Sequence, residues 1–247
     1  MKLTITGSGD AFGSGGRLNT CFHVQSGETG FLIDCGASAL ISLKKAGLST
    51  NDVDTVFITH LHGDHFGGLP FFLIDAMFMA KRTKPLTLVG PAELEARFHI
   101  ACEAMFPLAT ENQRDFEMTF VPLHAGETTR VGAVSVTPFE VKHYSGAPSY
   151  ALRFTLENKV LAYTGDTGWV DSVVEAGRDA DLYIMECFQY DKRLDMHLDY
   201  LTIHHRLDDI GAKRVLLTHM SDAMLAEQHE VTDARCSLAE DGMVIEV

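Results

Sequence analysis

Thr59-His60-Leu61-His62-Gly63-Asp64-His65 places three imidazoles and one carboxylate within six consecutive positions. The apolar run Val53-Asp54-Thr55-Val56-Phe57-Ile58 leads straight into it, so the motif is expected at the end of a buried strand. Imidazole nitrogen and carboxylate oxygen are both zinc donors, and a tight turn aims several of them at one point. The plain alternative is a surface loop that happens to be rich in histidine. Four such groups crowded at the end of a buried strand need partners, however, and a metal supplies them all at once. The stretch therefore predicts a metal site.

Three more polar residues occupy the same setting further along the chain. Val134-Ser135-Val136-Thr137-Pro138-Phe139-Glu140-Val141-Lys142 ends at His143. Val160-Leu161-Ala162-Tyr163-Thr164-Gly165 ends at Asp166, and Arg214-Val215-Leu216-Leu217-Thr218 ends at His219. Strand ends are rigid platforms, so residues just beyond them can converge on one cluster from distant parts of the chain. Taken singly, an Asp in a Gly-Asp-Thr turn is a turn former and a lone His after a strand is structural. Behind the opening motif, the three together extend the predicted site.

The intervening segments alternate in type. Leu3 and Ile5 mark a first strand, followed by a Gly- and Ser-rich loop from Gly7 to Gly16. No Gly-Lys-Ser/Thr follows that loop, so it reads as a turn region near the site and not as a phosphate cradle. Cys21 to Val24 and Phe31 to Asp34 read as a strand pair, and a helix from about Ser38 to Ala46 is stopped by Gly47. Pro70 to Lys81 is helical in length but apolar nearly all round, which predicts burial or a covering partner. Leu86 to Val89 is a short strand. Leu94, Phe98, Ala101 and Met105 form the stripe of a helix whose first turn takes Pro91. Strand-like runs fill Phe116 to Val141, and Glu157-Asn158 joins two strands in a hairpin. Leu182 to Met185 and Val215 to Leu217 are the last apolar strands. Between them Tyr200, Ile203, Leu207 and Ile210 make a helical stripe ended by Gly211, with His204 and His205 off it and exposed.

The chain of 247 residues shows no composition shift or linker, and one domain over residues 1–247 is expected. Hydrophobic residues at 46% and charged residues at 22% describe an ordinary globular protein. A net charge of −14 provides no basic surface for a nucleic-acid backbone. Cys21, Cys35, Cys102, Cys187 and Cys236 are odd in number and widely spaced, which predicts free thiols in a reducing compartment. Met1-Lys2-Leu3-Thr4-Ile5-Thr6 is an alternating strand and no signal peptide. Leu69 to Ala80 falls short of the ~20 residues a membrane span needs. A cytoplasmic protein without membrane contact is the expectation.

His60-x-His62-x-Asp64-His65, with Thr59 before it and Gly67-Gly68-Leu69-Pro70 after it, resembles the signature of the metallo-β-lactamase superfamily. The resemblance extends over nearly the whole chain. It implies an α/β (α+β) fold of the αββα sandwich type, two packed β-sheets with helices on both outer faces. It also implies a ligand set: His60, His62 and His143 for one metal, Asp64, His65 and His219 for a second, and Asp166 bridging both. In flavo-diiron relatives the position of His62 is a glutamate and the metals are redox-active irons. Histidine there favours a hydrolytic site holding two divalent ions, with zinc first and manganese or iron as other occupants. A hydroxide bridging the two ions would then be the nucleophile, with Asp64 helping to orient it.

Glu186, in Leu182-Tyr183-Ile184-Met185-Glu186-Cys187, is followed eleven residues later by His197. This pair is similar to the carboxylate and histidine of ribonuclease Z and of the cyclic phosphodiesterase of the carbon–phosphorus lyase pathway. There the carboxylate orients an imidazole that protonates the leaving oxygen, and the leaving alkoxide of a phosphodiester needs such a proton. The loop His143 to Tyr150 also resembles the ribonuclease Z loop behind the metals. Two departures narrow the reading. Ribonuclease Z inserts its transfer-RNA-gripping arm between the residues matching His143 and Asp166, whereas here only 23 positions separate them. The cyclic phosphodiesterase carries an N-terminal cysteine cluster where this chain has Gly13 to Gly16 and the single Cys21.

These features favour a phosphodiesterase acting on a small molecule: a cyclic nucleotide, a cyclic phosphate or a short oligonucleotide. They argue against transfer RNA as a partner. The alternatives are a lactonase or other carboxylic ester hydrolase of the superfamily, a ribonuclease Z-like nuclease without the arm, and a metal-binding protein with a decayed site. A homodimer would suit the apolar segment from Phe71 to Met79.

Overall fold

The computed structural model describes every residue from Met1 to Val247. Strand β1 (Lys2–Gly7) is followed by β2 (Cys21–Ser26) and β3 (Thr29–Ile33), which pair antiparallel as the sequence predicts. Helix α1 (Ala39–Lys45) comes next and is stopped by Gly47 in the left-handed conformation, φ 71°. Strand β4 (Thr55–Phe57) delivers the histidine motif, which forms the short helix α2 (Gly63–Phe66). Helix α3 (Leu69–Phe78), strand β5 (Leu86–Gly90) and helix α4 (Leu94–Met105) complete this half with β6 (Met118–Pro122).

Strands β7 (Thr129–Val131), β8 (Val134–Glu140), β9 (Tyr150–Leu156) and β10 (Lys159–Tyr163) then form a meander. Its last turn is Glu157-Asn158, with φ 51° and 62°, the left-handed pair that suits a tight hairpin. Helix α5 (Ser172–Gly177), β11 (Leu182–Glu186), α6 (Tyr200–His205), α7 (Leu207–Ile210), β12 (Val215–Thr218), α8 (Asp222–Ala226), β13 (Cys236–Leu238) and β14 (Val244–Glu246) follow.

The strands form two seven-stranded sheets, ordered β14-β1-β2-β3-β4-β5-β6 and β13-β12-β11-β10-β9-β8-β7. Each is antiparallel on one side and parallel on the other, from β3 to β6 and from β10 to β13. Phe31 and Ile33 point between the sheets while Leu32 points outward, the period-two alternation of a strand covered on both faces. Phe31, Phe57 and Phe154 interlock across the interface with ring centroids 5.0 to 5.5 Å apart. A second core lies under α1, α3 and α4, and a third under α5 to α8. This is the αββα sandwich of the metallo-β-lactamase superfamily. No helix is long and apolar enough to cross a membrane.

Three elements differ from the pattern read in the sequence. The stripe of α4 runs through Leu94, Phe98 and the fully buried Cys102, with Ala101 half-buried against the same core, while Met105 faces out. Pro91 lies before that helix and caps it through its carbonyl, which accepts from Leu94 N at 2.9 Å. The stripe Tyr200–Ile203–Leu207–Ile210 is buried, but it belongs to two short helices separated at Arg206 (φ −111°). Helix α3 buries Leu69, Phe72, Leu73 and Ala76 and leaves Phe78 and Met79 exposed, so its apolar surface is only half covered.

Backbone bonds stitch the histidine motif to the turn after β3. Cys35 N donates to His65 O at 2.6 Å, Ala37 N to Gly63 O at 3.1 Å, and Gly68 N to Cys35 O at 2.9 Å. The approach is so close that a Cβ on Gly36 would lie 2.2 Å from the carbonyl oxygen of Asp64. Gly36→Ala is therefore expected to cost about 1–3 kcal/mol through overpacking and to lower metal retention with it. Thermal melts and metal analysis of the purified variant read both effects.

Candidate metal centre

Every residue predicted for the site comes to the same edge of the sandwich, where the parallel strands of both sheets end. Beyond β4, the turn into α2 presents His60, His62, Asp64 and His65. β8 leads to His143, β10 to Asp166, and β12 to His219. Two of these turns are sharp. Gly165 (φ 58°) precedes Asp166, and His219 itself holds φ 57°, a conformation unusual for a residue with a side chain and typical of functional turns.

The donors fall into two groups. One consists of His60, His62 and His143, the other of Asp64, His65, Asp166 and His219; in each, the donor atoms lie within 4.8 Å of one another. His62 Nδ1 and His143 Nε2 are 3.0 Å apart. His65 Nε2 lies 3.3 Å from Asp64 Oδ2 and 3.2 Å from Asp166 Oδ1. His219 Nε2 lies 3.2 Å from Asp64 Oδ2 and 3.4 Å from Asp166 Oδ2. Asp166 also reaches toward the first group, with Oδ2 3.9 Å from His143 Nε2 and 4.0 Å from His60 Nε2.

Outer partners set the ring nitrogens. Asp34, fully buried at φ 58°, accepts from Thr59 N at 2.8 Å, Thr59 Oγ1 at 2.9 Å and His65 Nδ1 at 2.7 Å. Thr59 Oγ1, its proton committed to Asp34, accepts from His60 Nδ1 at 3.0 Å. His143 Nδ1 donates to the carbonyl of Met196 at 3.0 Å. Each of these bonds engages Nδ1 and turns Nε2 toward the cluster, the arrangement found around metal-bound histidine. Asp34 was not among the residues expected from sequence. Its one signal is a carboxylate at the end of the apolar run Phe31-Leu32-Ile33.

Burial holds His60 well below the usual imidazole range and pushes His143 down to about 4, so both are neutral and ready to coordinate. In the second group burial opposes charge, yet Asp166 and Asp64 raise His65 well above its usual value. His219 and His65 hold Asp166 well below the carboxylate range against its own burial. The second group thus demands positive charge. His60 Nε2, His65 Nε2 and Asp166 Oδ1 are buried without a hydrogen-bond partner. Such atoms are costly unless something satisfies them, and a divalent cation fits the donor set.

Beside the cluster, Glu186 at the end of β11 accepts from His197 Nδ1 at 3.0 Å and from the Thr167 amide. Glu186 is fully buried; burial, then Asp166, raises its pKa to about 7. Burial works against a charged His197, but the Glu186 bond raises its pKa to about 9. Phe188 stacks on the imidazole with centroids 4.7 Å apart. His197 and the cluster line one cavity of about 380 Å³.

A family model described as "Anti-Pycsar protein Apyc1" matches residues 1–245. The chain belongs to that family. It is 27% identical over 257 residues to the "Probable metallo-hydrolase YhfI" of Bacillus subtilis, which covers 100% of both chains. The crystal structure of that relative superposes with a TM-score of 0.80 at 22% identity over 99% of this chain and 98% of the other. A ribonuclease Z of Agathobacter rectalis is 26% identical over 261 residues, 85% of this chain and 84% of its own length. The short form of human tRNase Z superposes with a TM-score of 0.80 at 25% identity, covering 100% of this chain and 99% of that one. Within the metallo-β-lactamase superfamily these likenesses place the chain in the branch that includes ribonuclease Z. It is a metal-dependent hydrolase.

Two outcomes follow from the geometry of the site. Asp34→Asn keeps the shape but weakens acceptance from His65 and Thr59, and is expected to lower metal affinity about 10- to 100-fold; competition with a chromophoric chelator measures it. Zinc in excess over the apoprotein is expected to raise the thermal midpoint, by about 4 kcal/mol of added stability at a thousand times the dissociation constant. Melts with and without zinc decide.

Proposed function

We propose that the protein is a dinuclear metal-dependent phosphodiesterase acting on a small substrate such as a cyclic nucleotide, a cyclic phosphate or a short oligonucleotide. The observation that carries this reading is the Glu186–His197 contact at 3.0 Å within the cavity over the metal cluster. The leaving alkoxide of a phosphodiester must be protonated, and an imidazole held by a buried carboxylate is suited to supply that proton. The pair is also the feature this chain shares with the phosphodiesterase branch, which favours that reading over a lactonase or other carboxylic ester hydrolase.

His60, His62 and His143 would hold one divalent ion, zinc first, and Asp64, His65 and His219 the other, with Asp166 between them. Bound there, the ions would supply Lewis-acid charge for the phosphoryl oxygens and acidify a water. The chain's own groups do the rest. Glu186 fixes the His197 ring through Nδ1 and favours its protonated form. The other ring nitrogen donates its proton to the leaving oxygen as the P–O bond breaks. Asp64 orients the attacking water on the opposite side of phosphorus. Phe188, stacked on His197, keeps bulk water from one face of the proton donor.

The substrate is small on this reading. Asp166 follows His143 by only 23 positions, and strands β9 and β10 fill most of that interval, where an RNA-gripping arm would be inserted. The net charge of −14 opposes a long polyanion. We further propose a homodimer formed through α3 and the chain after α4. Phe71, Phe78, Met79, Met105 and Leu108 are exposed there, with Phe71 packed edge-on against Phe106 at 5.1 Å.

His197→Gln is expected to lower turnover of a poorly activated dialkyl phosphodiester by about 10²- to 10⁴-fold. Metal content should stay at the wild-type value, and p-nitrophenyl esters, whose leaving group needs little proton donation, should lose less. Steady-state kinetics on both substrate types with metal analysis test this; equal loss on both, or none, would count against the reading.

A further inference from the structure

Most residues lining the cavity over the metal cluster are the histidines and aspartates of the candidate site. The apolar exceptions among its lining residues are Ala11, Phe12 and Met196. Phe12 is 80% exposed. A single exposed phenyl ring is ordinary by itself. What distinguishes this one is the rigidity of the loop that carries it.

Asp10, fully buried, accepts from Phe12 N at 3.1 Å, Ser14 N at 3.0 Å and Ser14 Oγ at 2.7 Å. Asn19 Nδ2 donates to the Asp10 carbonyl at 2.9 Å, and Gly15 N donates to Asp222 at 2.9 Å. Gly13, Gly15 and Gly16 all hold left-handed φ of 63° to 72°, so the loop turns back on itself. A fixed backbone that leaves a large flat side chain at a cavity mouth offers contact area at little cost in conformational freedom.

The ring also has a direction. Phe12 lies 6.3 Å from Phe188 at an interplanar angle of 55°, and Phe188 stacks on His197. An aromatic series therefore runs from the mouth of the cavity to the imidazole assigned as proton donor. Met196, next to His197 in sequence, adds a second apolar surface at the same opening.

We infer that Phe12 is a specificity-determining contact that stacks on a planar aromatic group of the substrate, of the nucleobase class, held on the His197 side of the cavity. The identity of the reacting group rests on the phosphodiesterase reading above; the aromatic contact does not. Stacking of this kind accepts any base because every base has a π-face, and Phe12 with Met196 supplies apolar surface for it at the mouth.

The test uses metal-loaded wild-type protein, Phe12→Ala and Phe12→Trp. Calorimetric titration compares adenosine 5′-monophosphate with ribose 5-phosphate, which differ by the base alone. In parallel, kcat/KM is compared for bis(p-nitrophenyl) phosphate and methyl p-nitrophenyl phosphate, which share a leaving group. Wild type is expected to prefer the nucleotide. Phe12→Ala is expected to lose about tenfold or more of that preference and to show a matching fall in the ratio of the two kcat/KM values, while Phe12→Trp retains both. Wild type without a preference, or Phe12→Ala with the preference intact, overturns the inference. A Phe12→Ala protein that changes only its oligomeric state overturns it too. Failure of the phosphodiesterase reading looks different: no phosphodiester is hydrolysed, yet the binding preference and its dependence on Phe12 persist.

Discussion

Burial of Asp34 governs how the site is built. A carboxylate with no solvent exposure must find donors inside the protein, and it finds Thr59 twice and His65 once. Those bonds reach both ends of the histidine motif, since Thr59 in turn holds His60. One buried acid thereby orients an imidazole in each donor group. Exchange of Asp34 for an apolar residue would leave two imidazoles free to rotate, and the metal groups would lose their geometry before any ligand was touched.

The remaining ligands are tied in by backbone. Ser8 O, at the end of β1, accepts from His219 N at 3.0 Å and Thr218 Oγ1 at 3.2 Å. Asp241, just before β14, accepts from Ser8 N, Ser8 Oγ and Leu18 N, each at 2.8 Å. The first and last strands of the chain pair with each other, so this tether joins both ends of the sequence to the second donor group. Left-handed conformations at Asp34, Gly165 and His219 mark the points where the chain bends to reach it. Strain of this size persists only where surrounding bonds over-determine it, and here they do.

The clustering of His60, His62, Asp64, His65, His143, Asp166 and His219 was legible because they follow apolar strands, a local pattern that survives in one dimension. The strands themselves were legible for the same reason, and the Glu157-Asn158 hairpin was visible in its turn residues. What escaped depends on contacts between distant segments. Asp34 looks like an ordinary strand-end acid until Thr59 and His65 are brought to it from across the β3–β4 pairing. Phe12 looks like loop filler until Asp10 and Asp222 fix the loop. On α4, Cys102 and Ala101 are both small and both meet the core, and only the packed sheet shows that Cys102 is the fully buried one while Met105 faces out. Arg206 splits a helix whose stripe reads as continuous; its guanidinium lies 5.0 Å from the centre of the Trp169 ring, a contact absent from any local pattern.

The loop that carries His197 is also bound to the metal centre. The carbonyl of Met196 accepts from His143 Nδ1 at 3.0 Å, and the rings of His143 and His197 lie 5.2 Å apart. Gly168 approaches the same loop so closely that a Cβ there would lie 2.0 Å from the carbonyl oxygen of Asp195. Gly168 follows Asp166 by two residues, and its amide donates to Lys142 O beside His143. Asp166, His143 and His197 therefore share one rigid corner. A proton donor on an independent loop would need to find the leaving oxygen anew in each turnover. On the reading proposed above, His197 braced against the cluster would be held in register with whatever the cluster binds, and that pre-organisation would be where fold and chemistry meet in this chain.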